Sequence, residues 1–292
     1  MTSLRVGFVG FGEVASVFSR ALREHGADVA AYDIHLTRPG GRALLDKRVR
    51  ADDIAFCPLP EMVRRSDYVL SVVRPQSARE AAEQCAAHLR AGQVYVDMNS
   101  VSPSVKIEVG VLLRPSGATF VEGVILGAVG PAGAAARILT GGEKGNVVAD
   151  TLTRFGLNAA HFNDAIGKAS TFKMLRSILS KGIEALLLEM MIAGRKAGLD
   201  RDLWKDLVES LGPPFEREAA NWMQSHAVAH PRRHHELLQV METMRAIGVE
   251  PLATAGTEAF FRRSCSLGFP EAFPVKPESP GTVVDFMERR TG

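Results

Sequence analysis

The residues with the clearest chemical potential form a glycine-rich turn near the start of the chain. Gly10-Phe-Gly-Glu-Val-Ala15 follows an apolar run and opens a segment with helical spacing. In this GxGxxA pattern the first glycine permits a tight turn, the second lets a pyrophosphate approach the backbone, and the alanine keeps helix and strand close. The free N–H groups at the start of the helix would face the phosphates. The pattern therefore predicts a dinucleotide site.

An acidic residue stands where such a site needs one. Asp33 ends the second apolar run, 21 residues after Gly12, which is the distance at which a carboxylate holds the adenosine ribose hydroxyls. A carboxylate also repels a 2′-phosphate, which favours NAD, while Arg38 and Arg42 leave NADP open. The end of the fourth strand is expected near the nicotinamide half. The predicted cofactor contacts are Gly10, Phe11, Gly12, Glu13, Val14, Asp33, Val73, Arg74 and Pro75.

Apolar runs alternate with segments of helical spacing through the first half of the chain. Strands are predicted over residues 4–9, 27–32, 67–73, 93–97 and 118–124. Parallel strands need a crossover long enough to hold a helix, so this alternation indicates βαβ units. We predict an α/β Rossmann domain over residues 1–163.

The strand signals end at about residue 164. Apolar residues recur in steps of three and four from Phe172 to Met190, which indicates one face of a long helix. Prolines separate the further helices, which are predicted over residues 200–211, 215–227, 232–246 and 251–267, and an irregular tail follows. The fold class is therefore an α/β Rossmann domain followed by an all-α C-terminal domain, residues 164–292.

Composition excludes several classes of function. The chain has 292 residues, 46% of them hydrophobic and 23% charged, with a formal net charge of +2, so no basic patch predicts nucleic-acid binding. Its three cysteines show no CxxC spacing, and we expect no metal site. The sequence contains no apolar run of the roughly 18 residues that a membrane span needs. We expect a cytoplasmic protein that does not bind a membrane.

Four segments resemble the β-hydroxyacid dehydrogenases, the group that contains 6-phosphogluconate and 3-hydroxyisobutyrate dehydrogenases. The first is the glycine turn, and the second, Asp97-Met-Asn-Ser-Val-Ser-Pro103, is similar to the substrate segment of the family. The third segment, Glu122 to Pro131, stands where the family has a glycine-rich stretch, but it lacks the family's serine. The fourth, Gly167-Lys-Ala-Ser-Thr-Phe-Lys173, is similar to the segment that carries the family's catalytic lysine.

The resemblance implies roles for residues outside the glycine turn. Lys173 takes the place of the catalytic lysine, and the implied substrate-binding residues are Asn99, Ser100, Gly127 and Ser177. Ser177 replaces the family's asparagine, and it cannot supply an amide's paired donor and acceptor. The resemblance also implies a small acidic substrate, and it implies that residues 164–292 serve substrate binding and dimerisation. The long amphipathic helix and the helical C-terminal half, like the resemblance, favour a homodimer or a dimer of dimers.

Lys173 would complete the chemistry of a dehydrogenase that acts on CH–OH groups. Oxidation of an alcohol needs a hydride acceptor, which NAD or NADP supplies, and a base for the hydroxyl proton. A lysine serves as that base only when neutral, and burial or a nearby cation favours the neutral form. The predicted substrate is a small 3-hydroxy acid or its keto or semialdehyde partner. Two alternatives stay open, an imine reductase-like enzyme and a non-catalytic protein that binds or senses NAD(P).

Overall fold

An eight-stranded sheet organises the first part of the chain in the computed structural model, which describes residues 3–49 and 54–290. The strands are β1 (Arg5–Val9), β2 (Asp28–Tyr32), β3 (Ala55–Phe56), β4 (Tyr68–Ser71), β5 (Val94–Asp97), β6 (Thr119–Leu126), β7 (Arg137–Gly141) and β8 (Ala159–Asn163). They lie in the order β3-β2-β1-β4-β5-β6-β7-β8. Strands β1 to β6 are parallel, whereas β7 is antiparallel to β6 and parallel to β8.

Helices cover both faces of this sheet. They are α1 (Glu13–Glu24), α2 (Gly41–Asp46), α3 (Leu59–Arg65), α4 (Ala78–Ala86), α5 (Pro103–Leu113), α6 (Val129–Ala132) and α7 (Gly145–Arg154). Successive strand residues point to opposite faces. Phe8 and Val96 therefore enter one apolar cluster, while their neighbours Val9 and Tyr95 enter another. Burial on both faces explains why the inner strands read as continuous apolar runs.

The strand order 3-2-1-4-5-6 is that of a Rossmann fold, which confirms the predicted fold class. All five predicted strands are present, with ends within two residues of those predicted. Strands β3, β7 and β8 were not predicted from the sequence. In such a sheet, ligands bind at the carboxyl ends of the strands where the order reverses, here between β1 and β4.

Helices alone form the chain from α8 onward. They are α8 (Lys168–Ala197), α9 (Asp200–Ala246), α10 (Leu252–Ser264), α11 (Phe269–Ala272) and α12 (Pro280–Glu288). Helix α9 is interrupted at Gly212, whose φ of 76° and ψ of 171° are not helical. The predicted break at Pro231 is wrong, because the helix continues through it. Buried residues on both sides of this proline, such as Ala227 and Leu237, hold the two flanking turns against their neighbours.

The prediction of an irregular tail was also wrong. Pro280 and Ser279 start α12 in the usual way, with proline in the first turn and the serine hydroxyl accepting the N–H of Gly281. Val284 and Phe286 of this helix are buried in an apolar cluster of the helical region. A short amphipathic helix, rather than a loop, therefore closes that cluster.

The chain divides into two compact units, one ending at Lys173 and one beginning at Met174. The division falls inside α8, ten residues beyond the end of β8. The apolar spacing predicted on α8 is present, but part of that face is exposed: the exposed fraction is 69% for Leu179 and 67% for Leu186. Among the residues described, no helix is both long and apolar enough to cross a membrane.

Candidate functional site

The glycine turn has the geometry that a bound pyrophosphate requires. Gly10 has a φ of +88°, and a Cβ there would lie 3.0 Å from the Val72 carbonyl oxygen, so only glycine fits. A Cβ on Gly12 would meet no atom within 4 Å, which leaves open space beside the backbone. Gly12 also precedes α1, whose first turn has no side-chain cap. The N–H groups of the first turn of α1 are thus available to an anion, and the glycine turn fits a dinucleotide.

Asp33 is tied to the same turn. Its Oδ2 atom accepts the N–H of Phe11 at 2.7 Å, and its Oδ1 atom accepts the N–H of His35 at 2.9 Å. The carboxylate thus joins the end of β2 to the glycine turn while still lining the cavity there. Each carboxylate oxygen has a second lone pair, so the group remains able to accept ribose hydroxyls.

A cavity of about 1120 Å³ lies over these residues. Its walls include all the predicted cofactor contacts except Val14 and Pro75. Several cations also line it, namely Arg20, Arg38, Lys47, Arg48 and Arg74. Burial, and secondarily Asp33, raises the pKa of Tyr32 in the wall, which keeps that phenol neutral. Gly130, from the third family-like segment, lines the cavity close to Glu13.

Asn99 and Ser100 form a loop at the carboxyl end of β5. The N–H of Asn99 donates to Asp97 Oδ1 at 2.8 Å, and its Nδ2 donates to Ser71 Oγ at 2.9 Å. Asn99 Oδ1 and Ser100 Oγ are buried without a hydrogen-bond partner. Buried polar atoms normally have a partner, so these two atoms mark a place where a ligand would be bound. Ser71 leads directly into Val72 and Val73 of the cavity wall.

The start of α8 is anchored to the sheet through Glu122. This carboxylate is fully buried and accepts the N–H of Gly167 and that of Ser170, each at 2.7 Å. A carboxylate at a helix N-terminus is favoured both by the free N–H groups and by the helix dipole. Lys173 follows less than one turn after Ser170 and is half-buried. The backbone that carries Lys173 is therefore fixed to β6.

The structure brings only some of the predicted residues together. Lys173, Asn99, Ser100 and Gly127 do not line the cavity, although Asn99 is bonded to the strand that enters it. Gly127 follows β6 with a φ of +85° and is exposed. The remaining predicted substrate residue, Ser177, is half-buried on α8 in the second unit.

The comparisons with known proteins place this geometry in a family. A family model described as the NAD binding domain of 6-phosphogluconate dehydrogenase matches residues 5–161. The chain belongs to the β-hydroxyacid dehydrogenase superfamily. A second model, for a domain of unknown function, matches residues 195–264.

Three relatives are similar to this superfamily member over much of its length. An uncharacterized 28.5 kDa protein of Methanothermus fervidus is 27% identical, covering 89% of this chain and 98% of the relative. The 2-(hydroxymethyl)glutarate dehydrogenase of Eubacterium barkeri is 26% identical, and the match covers 74% of this chain and 72% of the relative. A solved structure of a conserved protein of unknown function, described as similar to 3-hydroxyacid dehydrogenases, has a TM-score of 0.71 and is 30% identical. The match covers 92% of this chain and 98% of that structure.

A buried Ser–His–Glu arrangement in this β-hydroxyacid dehydrogenase-like chain is structural. His226 lies 2.9 Å from Ser264 Oγ and 2.7 Å from Glu184 Oε1. All three side chains are almost completely buried, and Ser264 also donates to the Phe260 carbonyl, so no substrate reaches the hydroxyl. The arrangement joins α8, α9 and α10. In residues 3–49 and 54–290, no group of three or more potential ligands is placed to hold a metal.

Two features of this chain near the candidate site were not predicted from the sequence. One is Glu122 as the anchor of α8, because its partners lie 45 and 48 residues away. The other is Lys106, a completely buried lysine beneath the Asn99 loop. A single cation between Val105 and Ile107, in a helix with many apolar residues, was the available signal.

Proposed function

We propose that this protein is an NAD(P)-dependent oxidoreductase that interconverts a small 3-hydroxy acid and its keto or semialdehyde partner. The observation that carries the proposal is the glycine-turn cavity, with Gly12 open to a pyrophosphate, in a chain of the β-hydroxyacid dehydrogenase superfamily. The relative from Eubacterium barkeri is named as a dehydrogenase of a hydroxymethyl acid, which supports this substrate class.

NAD is the proposed preferred cofactor. Asp33 stands in the cavity wall at the end of β2, where its charge disfavours a 2′-phosphate. Arg38 and Arg48 line the same cavity and lower that preference, because guanidinium groups bind phosphate well. When bound, the nicotinamide supplies the hydride acceptor or donor.

Lys173 is the proposed acid/base residue. In the oxidative direction its amine takes the proton of the substrate hydroxyl, and in the reductive direction its ammonium returns a proton to the carbonyl oxygen. The Glu122 anchor supports this role, because it fixes the first turn of α8 against β6. Asn99 and Ser100 are the proposed substrate contacts, since Asn99 Oδ1 and Ser100 Oγ lack partners. Gly127 and Ser177 complete the proposed substrate set.

Replacement of Lys173 by alanine tests the assignment directly. The wild-type protein is first tested with 2-(hydroxymethyl)glutarate, 3-hydroxyisobutyrate and related 3-hydroxy acids, with NAD and with NADP, by the absorbance of the reduced cofactor. We expect Lys173→Ala to lower kcat by at least about 100-fold, because it removes the proton acceptor. The Kd for NADH, measured by nicotinamide fluorescence, should change by less than about twofold, because the glycine turn is untouched.

Lys196→Ala is the matched control, since this exposed lysine ends the same helix. The control should keep the wild-type kcat. Unchanged turnover in Lys173→Ala would remove this residue from the mechanism. NADH binding without turnover of any substrate in the panel would favour the non-catalytic alternative.

We also propose that the protein is a homodimer, with the exposed apolar face of α8 meeting a second copy. Leu179 and Leu186 are each about two-thirds exposed, seven residues apart on one helix face. Such a stripe normally lies against another apolar surface. The double replacement Leu179→Lys with Leu186→Lys should convert dimers to monomers in light scattering at micromolar concentration. A monomeric wild-type protein would contradict this proposal.

A further inference from the structure

Lys106 is a completely buried cation that the proposed chemistry does not use. It lies in α5, and its Nζ atom donates to the Asp97 carbonyl oxygen at 2.6 Å, to Asp97 Oδ1 at 3.0 Å and to the Gly123 carbonyl oxygen at 3.1 Å. An ammonium group has three donors, so all three are used. Asp97 is completely buried as well.

Stability alone does not account for this ion pair. Removing two charges from water costs free energy, and replacing a buried ion pair with apolar side chains of similar volume is often neutral or stabilising. What a buried pair can supply is a fixed geometry, because its hydrogen bonds are directional and breaking them inside the protein is costly. The geometry that Lys106 fixes is that of the neighbouring strand ends.

The contacts of Lys106 continue into the Asn99 loop. Asp97 Oδ1, which accepts from Lys106, also accepts the N–H of Asn99 at 2.8 Å. Asn99 Nδ2 then donates to Ser71 Oγ, at the end of β4. The bond to Gly123 adds β6 to the same network. One ammonium group thus links the carboxyl end of β5 to the middle of β6 directly, and it reaches the end of β4 through Asp97 and Asn99.

We propose that Lys106 is a positioning residue, which holds the Asp97–Ser100 loop so that Asn99 Oδ1 and Ser100 Oγ face a ligand. Both atoms are buried without partners, which an unconstrained loop would avoid by turning them to solvent or to backbone groups. The effect on turnover rests on the proposed dehydrogenase function, whereas the effect on the loop itself does not.

Hydrogen–deuterium exchange of the loop tests the proposal without any substrate. In Lys106→Met, the amides of Asn99 and Val101, which donate to Asp97 and to the Asn99 carbonyl, should exchange at least about tenfold faster. Gln93→Met is the matched control: Gln93 is buried just before β5, at the end away from the loop, and its side chain donates to the Val63 and Ser66 carbonyl oxygens. The control should leave exchange in the loop unchanged. Equal loop exchange in Lys106→Met and wild type would overturn the proposal.

A double variant separates positioning from the cost of an unpaired charge. Lys106→Met leaves Asp97 buried and uncompensated, which alone destabilises the fold. Asp97→Asn with Lys106→Met removes that charge and keeps an oxygen that can accept the Asn99 N–H. Fast loop exchange in the double variant supports positioning, because only the links made by the ammonium are lost. Recovery of wild-type exchange would show that Lys106 only neutralises Asp97.

Kinetics provide the second readout. With the hydroxy acid that the wild type oxidises, the double variant should show a kcat lower by about 10- to 100-fold, since small displacements of a substrate-orienting group reduce rates on this scale. The KM for NAD should stay within about twofold. If the KM for NAD rises as much as kcat falls, the positioning role is contradicted, because the cofactor site would then be disturbed as well. If the wild type oxidises no hydroxy acid, the dehydrogenase proposal fails, while the exchange measurement still decides the role of Lys106.

Discussion

At the residue scale, Asp33 has two roles: it holds the backbone of the glycine turn, and it lines the cavity. Its two oxygens accept the N–H groups of Phe11 and His35, so the carboxylate shapes the glycine turn before any ligand arrives. The same group lines the cavity, where the proposed preference for NAD rests on its charge. A substitution at Asp33 should therefore change both cofactor affinity and cofactor preference.

Asp33→Ala should raise the KM for NAD by about 10- to 100-fold, since hydrogen bonds to a charged group contribute about 1.5–3 kcal/mol each. The KM for NADP should rise less, because the repulsion of the 2′-phosphate disappears while Arg38 and Arg48 remain. The measurement is the ratio of kcat/KM for the two cofactors. Glu83→Ala, at an exposed carboxylate that pairs with Arg79 outside the cavity wall, is the control. A ratio that stays at the wild-type value would exclude Asp33 from cofactor selection.

The chemistry of the glycine turn could be predicted because its signals are local. Gly10, Gly12 and Asp33 are separated by short, regular distances, and the strand and helix that hold them are strongly patterned. Lys106 and Glu122 could not be predicted in the same way. Their roles depend on partners from other strands, and neither residue type normally occurs completely buried.

At the element scale, the contrast between local signals and contacts distant in sequence explains why β8 and the continuity of α9 were not predicted. Strand β8, Ala-Ala-His-Phe-Asn, has one large apolar side chain, Phe162, and most of the strand is exposed, so it carries neither an apolar run nor an alternation. Its pairing with β7 decides its conformation. Pro231 is the opposite case: a strong local signal for a break is overridden by the packing of α9 on both sides.

The interruption of α9 depends on one glycine. Gly212 has a φ of 76° with a ψ of 171°, a region populated almost only by glycine. A Cβ there would lie 3.8 Å from the nearest atom, Pro214 Cδ, so space is available and strain is the main cost. Gly212→Ala should lower the free energy of unfolding by about 1–3 kcal/mol in urea denaturation.

Gly256→Ala is the matched comparison in the same unit. Gly256 lies in regular helix within α10, and a Cβ there would meet nothing within 4 Å. The alanine should raise the free energy of unfolding by about 0.5–1 kcal/mol, because it restricts the unfolded chain. Equal effects of the two substitutions would show that the backbone at position 212 is not strained.

At the scale of the whole molecule, the helical unit contains a charged network in its interior. Glu184 accepts from Arg233 and pairs with His226, and the neighbouring His230 stacks on His226. Burial lowers the pKa of His230, and the charge of the His226 ring adds to the decrease, while the hydrogen bonds to the His226 and Ala227 backbone and the charge of Glu184 oppose it. Protonation of His230 is thus easier in the unfolded chain than in the folded one.

Acid should therefore destabilise the protein through His230. The pKa of His230 in the folded protein lies below the ordinary value of about 6.5. Its contribution to the free energy of unfolding is therefore complete above that pH and is lost as the pH falls through the folded pKa. Thermal unfolding followed by circular dichroism should show a Tm that falls between about pH 7.5 and 5.5. His230→Gln, which can still donate to the His226 carbonyl, should flatten this dependence. Identical slopes in the two proteins would contradict the assignment.

The division of the chain at Lys173 also separates its natural chromophores. Both tryptophans, Trp204 and Trp222, belong to the helical unit, and all three tyrosines, Tyr32, Tyr68 and Tyr95, belong to the sheet unit. Indole emission excited at the red edge therefore reports on the helices alone, while the tyrosine bands, resolved from the indole bands by second-derivative absorbance, report on the sheet. Without any label, a single denaturation experiment can record whether the two halves of this polypeptide melt together or in succession.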